Sequence, residues 1–308
     1  MSGVVLDGKR ISREIQDELR PRITALRAQG KQPGLAVVLV GDNPASQIYV
    51  RNKIRACEDL GIRSVEFMPP GNISTDELIA LLKPLQDDAS VHGILVQMPL
   101  PKQIDSERVV AEVVDAGRDV DGFGTHSLGL LVRNKPGPRA CTPAGIMEML
   151  RRYQIPIAGK HAVIVGRSDI VGKPMALLLL HQNATVTICH SRTANLAEEC
   201  RRADILVAAI GHAGLITRDH IKPGAVVIDV GMNRLTDKAQ VERLFAHDPQ
   251  RLASFGKNGS VLTGDVEPLA MQELSSYYTP VPGGVGPLTI AMLMSNTVGL
   301  AEGSIWRD

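Results

Sequence analysis

Apolar residues recur at Ile11, Ile15, Leu19, Ile23 and Leu26, a spacing that predicts one helix face over residues 10–29 with Gly30 as its stop. Pro21 falls inside that pattern and is expected to bend or split the helix. A continuous apolar run over 35–40 predicts a strand, closed by the turn Gly41-Asp-Asn-Pro44. Pro44 suits a first helical turn, so a second helix is expected from there to Gly61. Residues 63–68 read as another strand. Ser74 and Glu77 have the spacing of a capping box, opening a helix that turns Leu78, Leu81, Leu82 and Leu85 inward. Gly93 to Pro101 gives a buried-type strand cut off by two prolines. This alternation of strand and helix implies a parallel sheet covered by helices.

Asp119 to Gly122 ends a further helical stretch, and Pro136-Gly-Pro138 marks the best domain boundary. Thr142-Pro143 is a helix start, and a second alternation follows. Its expected strands are 161–165, 185–189, 204–209 and 225–230, with helices from the 166–172 turn to about His181 and near 194–202. Residues 236–260 are polar, helix-like and then loop-like, and read as a surface excursion. Thr279 to Pro287 precedes an apolar helix over 288–300.

Composition narrows the class. A chain of 308 residues suits two α/β domains. A formal net charge of +1 argues against a nucleic-acid footprint or an electrostatic membrane anchor, and 3% aromatic content offers no base-stacking platform. No apolar run approaches the roughly 20 residues that span a bilayer. The N-terminal residues lack the layout of a signal peptide. Cys57, Cys141, Cys189 and Cys200 are scattered with no C-x-x-C pair, so reduced, packed thiols in a cytoplasmic enzyme are expected, with neither a disulfide framework nor a metal site.

On a helix starting at Pro44, Ser46, Tyr49 and Lys53 share one face at the mouth above a sheet, where open α/β folds bind ligands. A ring one turn from an amine can hold a flat substrate beside a proton-transfer group; a half-buried aromatic next to a solvated lysine has the same spacing. Gly166-x-Ser168-x-x-x-Gly172, between strand and helix, is a dinucleotide-type turn with a serine for the middle glycine and the last glycine one residue late. The next strand ends in Cys189-His-Ser-Arg192 with no carboxylate. That cluster, with Arg167 in the turn, suits a 2′-phosphate and favours NADP over NAD. Gly283-Gly-Val-Gly-Pro287 allows a close backbone approach to a ligand or serves as a hinge. Gln97 lies at the carboxyl end of a strand, and Asp121 could hydrogen-bond a donor-rich heterocycle.

Five segments, Pro44 to Lys53, Gly93 to Pro101, Asp119 to Phe123, Gly166 to Pro174 and Pro280 to Pro287, occur in the order and spacing of one family. The chain resembles the bifunctional methylenetetrahydrofolate dehydrogenase/methenyltetrahydrofolate cyclohydrolases from about residue 4 to 300. The resemblance implies a folate-binding catalytic domain, 1–138 plus 282–308, and a Rossmann-like NADP-binding domain, 139–281, with the C-terminal helix returning to the first domain. It implies oxidation of 5,10-methylenetetrahydrofolate by NADP, then hydrolysis of the methenyl product to 10-formyltetrahydrofolate. Lys53 matches the catalytic lysine, Tyr49 the ring against the folate, Gln97 the partner of the lysine, and Asp121 the group that grips the pterin. Val96, Met98, Pro282, Gly283, Gly284, Val285 and Gly286 would complete the substrate site; Gly166, Arg167, Ser168, Ser191, Arg192 and Met232 would hold the cofactor. A homodimer is implied as well. A cationic substrate beside the amine would favour its neutral, base-competent form. A dehydrogenase-only relative, a different NADP-dependent dehydrogenase on this scaffold, and a catalytically silent nucleotide sensor remain open here.

Overall fold

The strand–helix alternation folds as two parallel-sheet units in a computed structural model that describes residues 3–114 and 117–306. In chain order the strands are β1 (Val4–Val5), β2 (Gly34–Val38), β3 (Arg63–Phe67), β4 (Gly93–Val96), β5 (His161–Val165) and β6 (Thr185–Cys189). They continue as β7 (Ile205–Ala208), β8 (Val226–Asp229), β9 (Asn233–Leu235), β10 (Val261–Thr263) and β11 (Tyr277–Tyr278). One unit comprises Ser12–Cys141 and Thr289–Asp308; the other comprises Met1–Ile11 and Thr142–Leu288.

The first of these holds a three-stranded parallel sheet in the order β3-β2-β4. Central β2 is buried at all five positions, which is why its sequence is an unbroken apolar run and not an alternation. Ala36, Val38, Ile94 and Val96 pack with Leu78, Leu82, Val109 and Val113. The Thr75–Leu82 helix opens on the expected Ser74–Glu77 capping box. Its inner face takes Leu78, Ile79 and Leu82, whereas Leu81 is exposed. Leu81 was expected inside, but Ile79 and Leu82 place the buried stripe on the other side of Leu78. The Gly8–Ala28 helix runs through Pro21 unbroken. Pro21 lies on the solvent side, where water can satisfy the carbonyl its missing N–H leaves free. The C-terminal helix meets this N-terminal helix in a bidentate ion pair, Arg22 Nη2 to Glu302 Oε2 at 2.7 Å and Nε to Oε1 at 3.0 Å.

The other unit is a six-stranded, all-parallel sheet in the order β1-β11-β8-β7-β5-β6. From β5 the chain winds one way to β6 and the other way to β7, so the carboxyl ends of β5 and β7 flank a topological switch point, where open α/β sheets receive ligands. Two placements differ from the expected domain limits. Residues 1–11 belong here because β1 pairs with β11, and the 282–288 segment packs here also. Residues 236–260 are not a loose excursion. Helices Lys238–Phe245 and Pro249–Asn258 pack on the β9–β10 ribbon, burying Leu235, Val241, Leu244, Phe245 and Val261. The polar residues that suggested a loop form the outer faces of two short amphipathic helices. All four cysteines are buried. Among the described residues no helix is long and apolar enough to cross a membrane.

Candidate active site

In the three-stranded unit, Pro44 begins the Pro44–Leu60 helix, and the shared face expected from spacing forms: Ser46 is buried, Lys53 is 9% exposed and Tyr49 is 42% exposed. Lys53 Nζ donates to Gln97 Oε1 at 3.0 Å. Gln97 follows β4, and its own amide donates to the Met98 carbonyl at 2.7 Å, which fixes which end of the side chain faces the lysine. The backbone N–H of Gln97 bonds to the Val38 carbonyl at 2.9 Å, seating Val96, Gln97 and Met98 at the carboxyl end of the sheet.

Asp121 follows an isolated parallel bridge between Ile94 and Asp119. The Asp119 carboxylate accepts from the N–H groups of Gly122 and Gly124, both at 2.8 Å, and so shapes the turn that carries Asp121. Gly122 has φ +72°, and a Cβ there would stand 2.2 Å from the Arg139 carbonyl carbon, so only glycine fits. Burial raises the Asp121 pKa from 3.8 to about 6; the Lys53 ammonium works against that rise and Asp119 adds to it. An amine, an amide and a carboxyl thus act on one another within a single unit. Asn296 braces the turn by donating to the carbonyls of Val120 (2.8 Å) and Arg139 (3.0 Å). Sequence reasoning missed Asn296 and Asp119. The available signal was an amide inside an otherwise apolar helical run, which must find partners when buried.

The expected cofactor residues lie on the six-stranded unit. Gly166 ends β5 with φ +134°, and a Cβ on it would meet the Ala209 carbonyl oxygen at 2.3 Å. Gly172 packs equally closely on the Gly166 carbonyl oxygen. Ser168 Oγ accepts from the N–H groups of Val171 (3.2 Å) and Gly172 (3.3 Å), capping the Gly172–His181 helix, and keeps its proton to donate. Ser191 and Arg192 are exposed beyond β6, and the Arg192 N–H donates to His190 Nδ1 at 3.1 Å. Arg167 is exposed in the turn. A tight glycine cradle at the switch point, a hydroxyl, two guanidinium groups and no carboxylate after β6 fit a dinucleotide with a 2′-phosphate.

The glycine loop 282–286 is also in this unit. Gly283 has φ +110°, the Gly284 N–H donates to the Pro280 carbonyl at 2.8 Å, and a Cβ on Gly286 would stand 3.2 Å from Met232 Cε. A Cβ on Gly8 would fall 1.6 Å from the Gly284 carbonyl oxygen, so the loop presses directly on the start of the first helix. Two buried carboxylates organise the neighbouring loops. Asp229 accepts from the N–H groups of Gly231, Asp265 and Val266, and Asp265 from those of Ile210, Gly211 and His212.

Comparison with known proteins follows this geometry. Residues 6–121 match the catalytic domain, and residues 140–305 the NAD(P)-binding domain, of the tetrahydrofolate dehydrogenase/cyclohydrolase family. The chain is 60% identical over 298 residues to the bifunctional protein FolD of Solibacter usitatus, covering 97% of each. Among solved structures it is similar to the bifunctional FolD methylenetetrahydrofolate dehydrogenase/cyclohydrolase of Campylobacter jejuni, with a TM-score of 0.88 at 42% identity over 98% of this chain and 100% of that one. The Trypanosoma brucei enzyme, solved with NADP and an inhibitor, gives a TM-score of 0.88 at 35% identity over 100% of both chains.

Proposed function

The chain belongs to the tetrahydrofolate dehydrogenase/cyclohydrolase family, and from that premise we propose which of its residues carry each reaction. It is a bifunctional enzyme: it oxidises 5,10-methylenetetrahydrofolate with NADP and hydrolyses the methenyl product to 10-formyltetrahydrofolate. Lys53, Tyr49, Gln97 and Asp121 form the catalytic set. Tyr49 lies along the flat part of the folate, and the Asp121 carboxylate accepts hydrogen bonds from donor groups of the pterin. Gln97 holds the Lys53 amine in place. In hydrolysis, water adds to the electrophilic methenyl carbon and Lys53 Nζ takes its proton. The bond from that carbon to N5 then breaks, N5 receives a proton, and the formyl group stays on N10.

NADP, when bound, accepts the hydride. The chain's own work in that step is positioning by Gly166, Ser168 and the 282–286 loop, with Arg167, Ser191 and Arg192 holding the 2′-phosphate and Met232 beside the loop. Oxidation needs the NADP-holding residues as well as the catalytic set. Domain limits near 138 and 282, a cytoplasmic location and a homodimer complete the proposal. The dimer is supported by edge strand β6, where Ile188 is 41% exposed and Leu180 of the preceding helix 52%.

One observation carries the assignment: the 3.0 Å bond from Lys53 to Gln97 in a unit where Asp121 also acts on that amine. Lys53→Met is expected to lower methenyltetrahydrofolate hydrolysis by about 10²–10⁴-fold while folate still binds. Absorbance of the methenyl compound reads the loss directly. Hydrolysis at the wild-type rate in this variant removes Lys53 from the mechanism.

A further inference from the structure

We infer that Arg251, on the helix-bearing 236–260 segment, is a positioning residue for the folate-contacting loop Pro282–Gly286; this rests on the reading of that loop given above. Three of its five residues are glycines with no side chain to pack, so the course of the loop is set by backbone tethers on its flanks. On one side the Gly284 N–H holds the Pro280 carbonyl, and Thr279 Oγ1 accepts from the Asp229 N–H at 2.7 Å. On the other, the residue before the loop is held by a guanidinium: Arg251 Nη2 donates to the Val281 carbonyl and Nη1 to the Leu262 carbonyl at 3.0 Å. The guanidinium is fixed in turn. Its carbon stands 5.5 Å from the centre of the Phe245 ring, and the Arg251 N–H is capped by Asp248 Oδ1 at 3.0 Å. A planar fork bridging two carbonyls is a task an arginine performs and an ammonium performs in part. The 238–258 helices, which carry none of the site residues, therefore reach the substrate loop through one side chain.

Full-length wild type, Arg251→Ala and Arg251→Lys are compared by steady-state kinetics of both reactions, by melting temperature, and by amide hydrogen exchange of the 280–286 segment without ligands. Arg251→Ala is expected to raise the folate KM by roughly 10- to 100-fold in both reactions, to leave the NADP KM unmoved, and to speed exchange in that segment. Arg251→Lys recovers part of each effect; if the alanine variant does not fold, the lysine variant carries the same comparison with a smaller rise. An unmoved folate KM with unaltered exchange overturns the inference. So does a rise of both Michaelis constants together with a fall in melting temperature, the mark of general loosening. Failure of the underlying reading is distinguishable, because the wild-type enzyme would then show no folate turnover.

Discussion

At the residue scale, the chemistry turns on small departures from ordinary acid–base behaviour. Asp121 is a carboxyl whose burial raises its pKa from 3.8 to about 6. The folded state therefore holds a proton that the unfolded chain has lost between those pH values. The stability this contributes is present below about pH 4 and is lost as pH rises through about 6. Asp121→Asn should accordingly be more stable than wild type at pH 8 by about 1–3 kcal/mol, with the gap closing toward pH 4 in urea titrations. The same ionisation should appear in catalysis. kcat/KM for methylenetetrahydrofolate oxidation is expected to rise with pH through about 6 in the wild type, because the ionised carboxylate is the stronger acceptor. The asparagine variant should lack that limb. A limb of equal size in both proteins would assign the titration to another group. Lys53 and Tyr49 were legible here because helical spacing alone puts them on one face. Asp119 was not, since its role is to hold two backbone N–H groups, which no local pattern announces.

At the scale of elements, the β5 turn shows how a close backbone approach selects residues. Gly166 tolerates φ +134° and leaves no room for a Cβ against the Ala209 carbonyl. Gly166→Ala should destabilise the protein by about 1–3 kcal/mol and abolish NADP-dependent oxidation. Cofactor-free hydrolysis of methenyltetrahydrofolate should persist, because Lys53, Gln97 and Asp121 lie on the other unit. Equal loss of both activities would mean that the turn supports more than cofactor binding. The elements that misled were those whose surroundings decide them. Pro21 failed to split its helix because its freed carbonyl can face water, and Leu81 faces out because Ile79 supplies the other edge of the stripe. The 236–260 segment looked like a loop because each of its helices is too short to display many apolar repeats.

At the scale of the whole molecule, both sheets are parallel, and the six-stranded one ends on β6 with apolar side chains exposed. An unpaired apolar edge is ordinarily guarded by charge or covered by a neighbour. The proposed dimer covers it. Ile188→Lys is expected to shift the protein from dimer to monomer in sedimentation velocity and to remove the concentration dependence of its melting temperature. A wild type that sediments as a monomer at all concentrations would discard the dimer.

The sequence by itself determined the alternation of strand and helix, the capping box at Ser74, the shared face of Ser46, Tyr49 and Lys53, and the glycine turn after β5. Each of these follows from local spacing and from what a glycine or proline permits over a few residues. Tertiary structure alone decided that Gln97 meets Lys53 across 44 positions of chain, that Asp119 shapes the Asp121 turn, and that residues 1–11 close the edge of the other sheet. It also decided the packing of the 238–258 helices on a ribbon and the bond from Arg251 to the loop ahead of Gly283. The division has one physical cause. Hydrophobic period and backbone permissiveness are written in neighbouring residues, whereas the partner of a buried polar group is chosen by whichever distant segment the fold brings within hydrogen-bond reach.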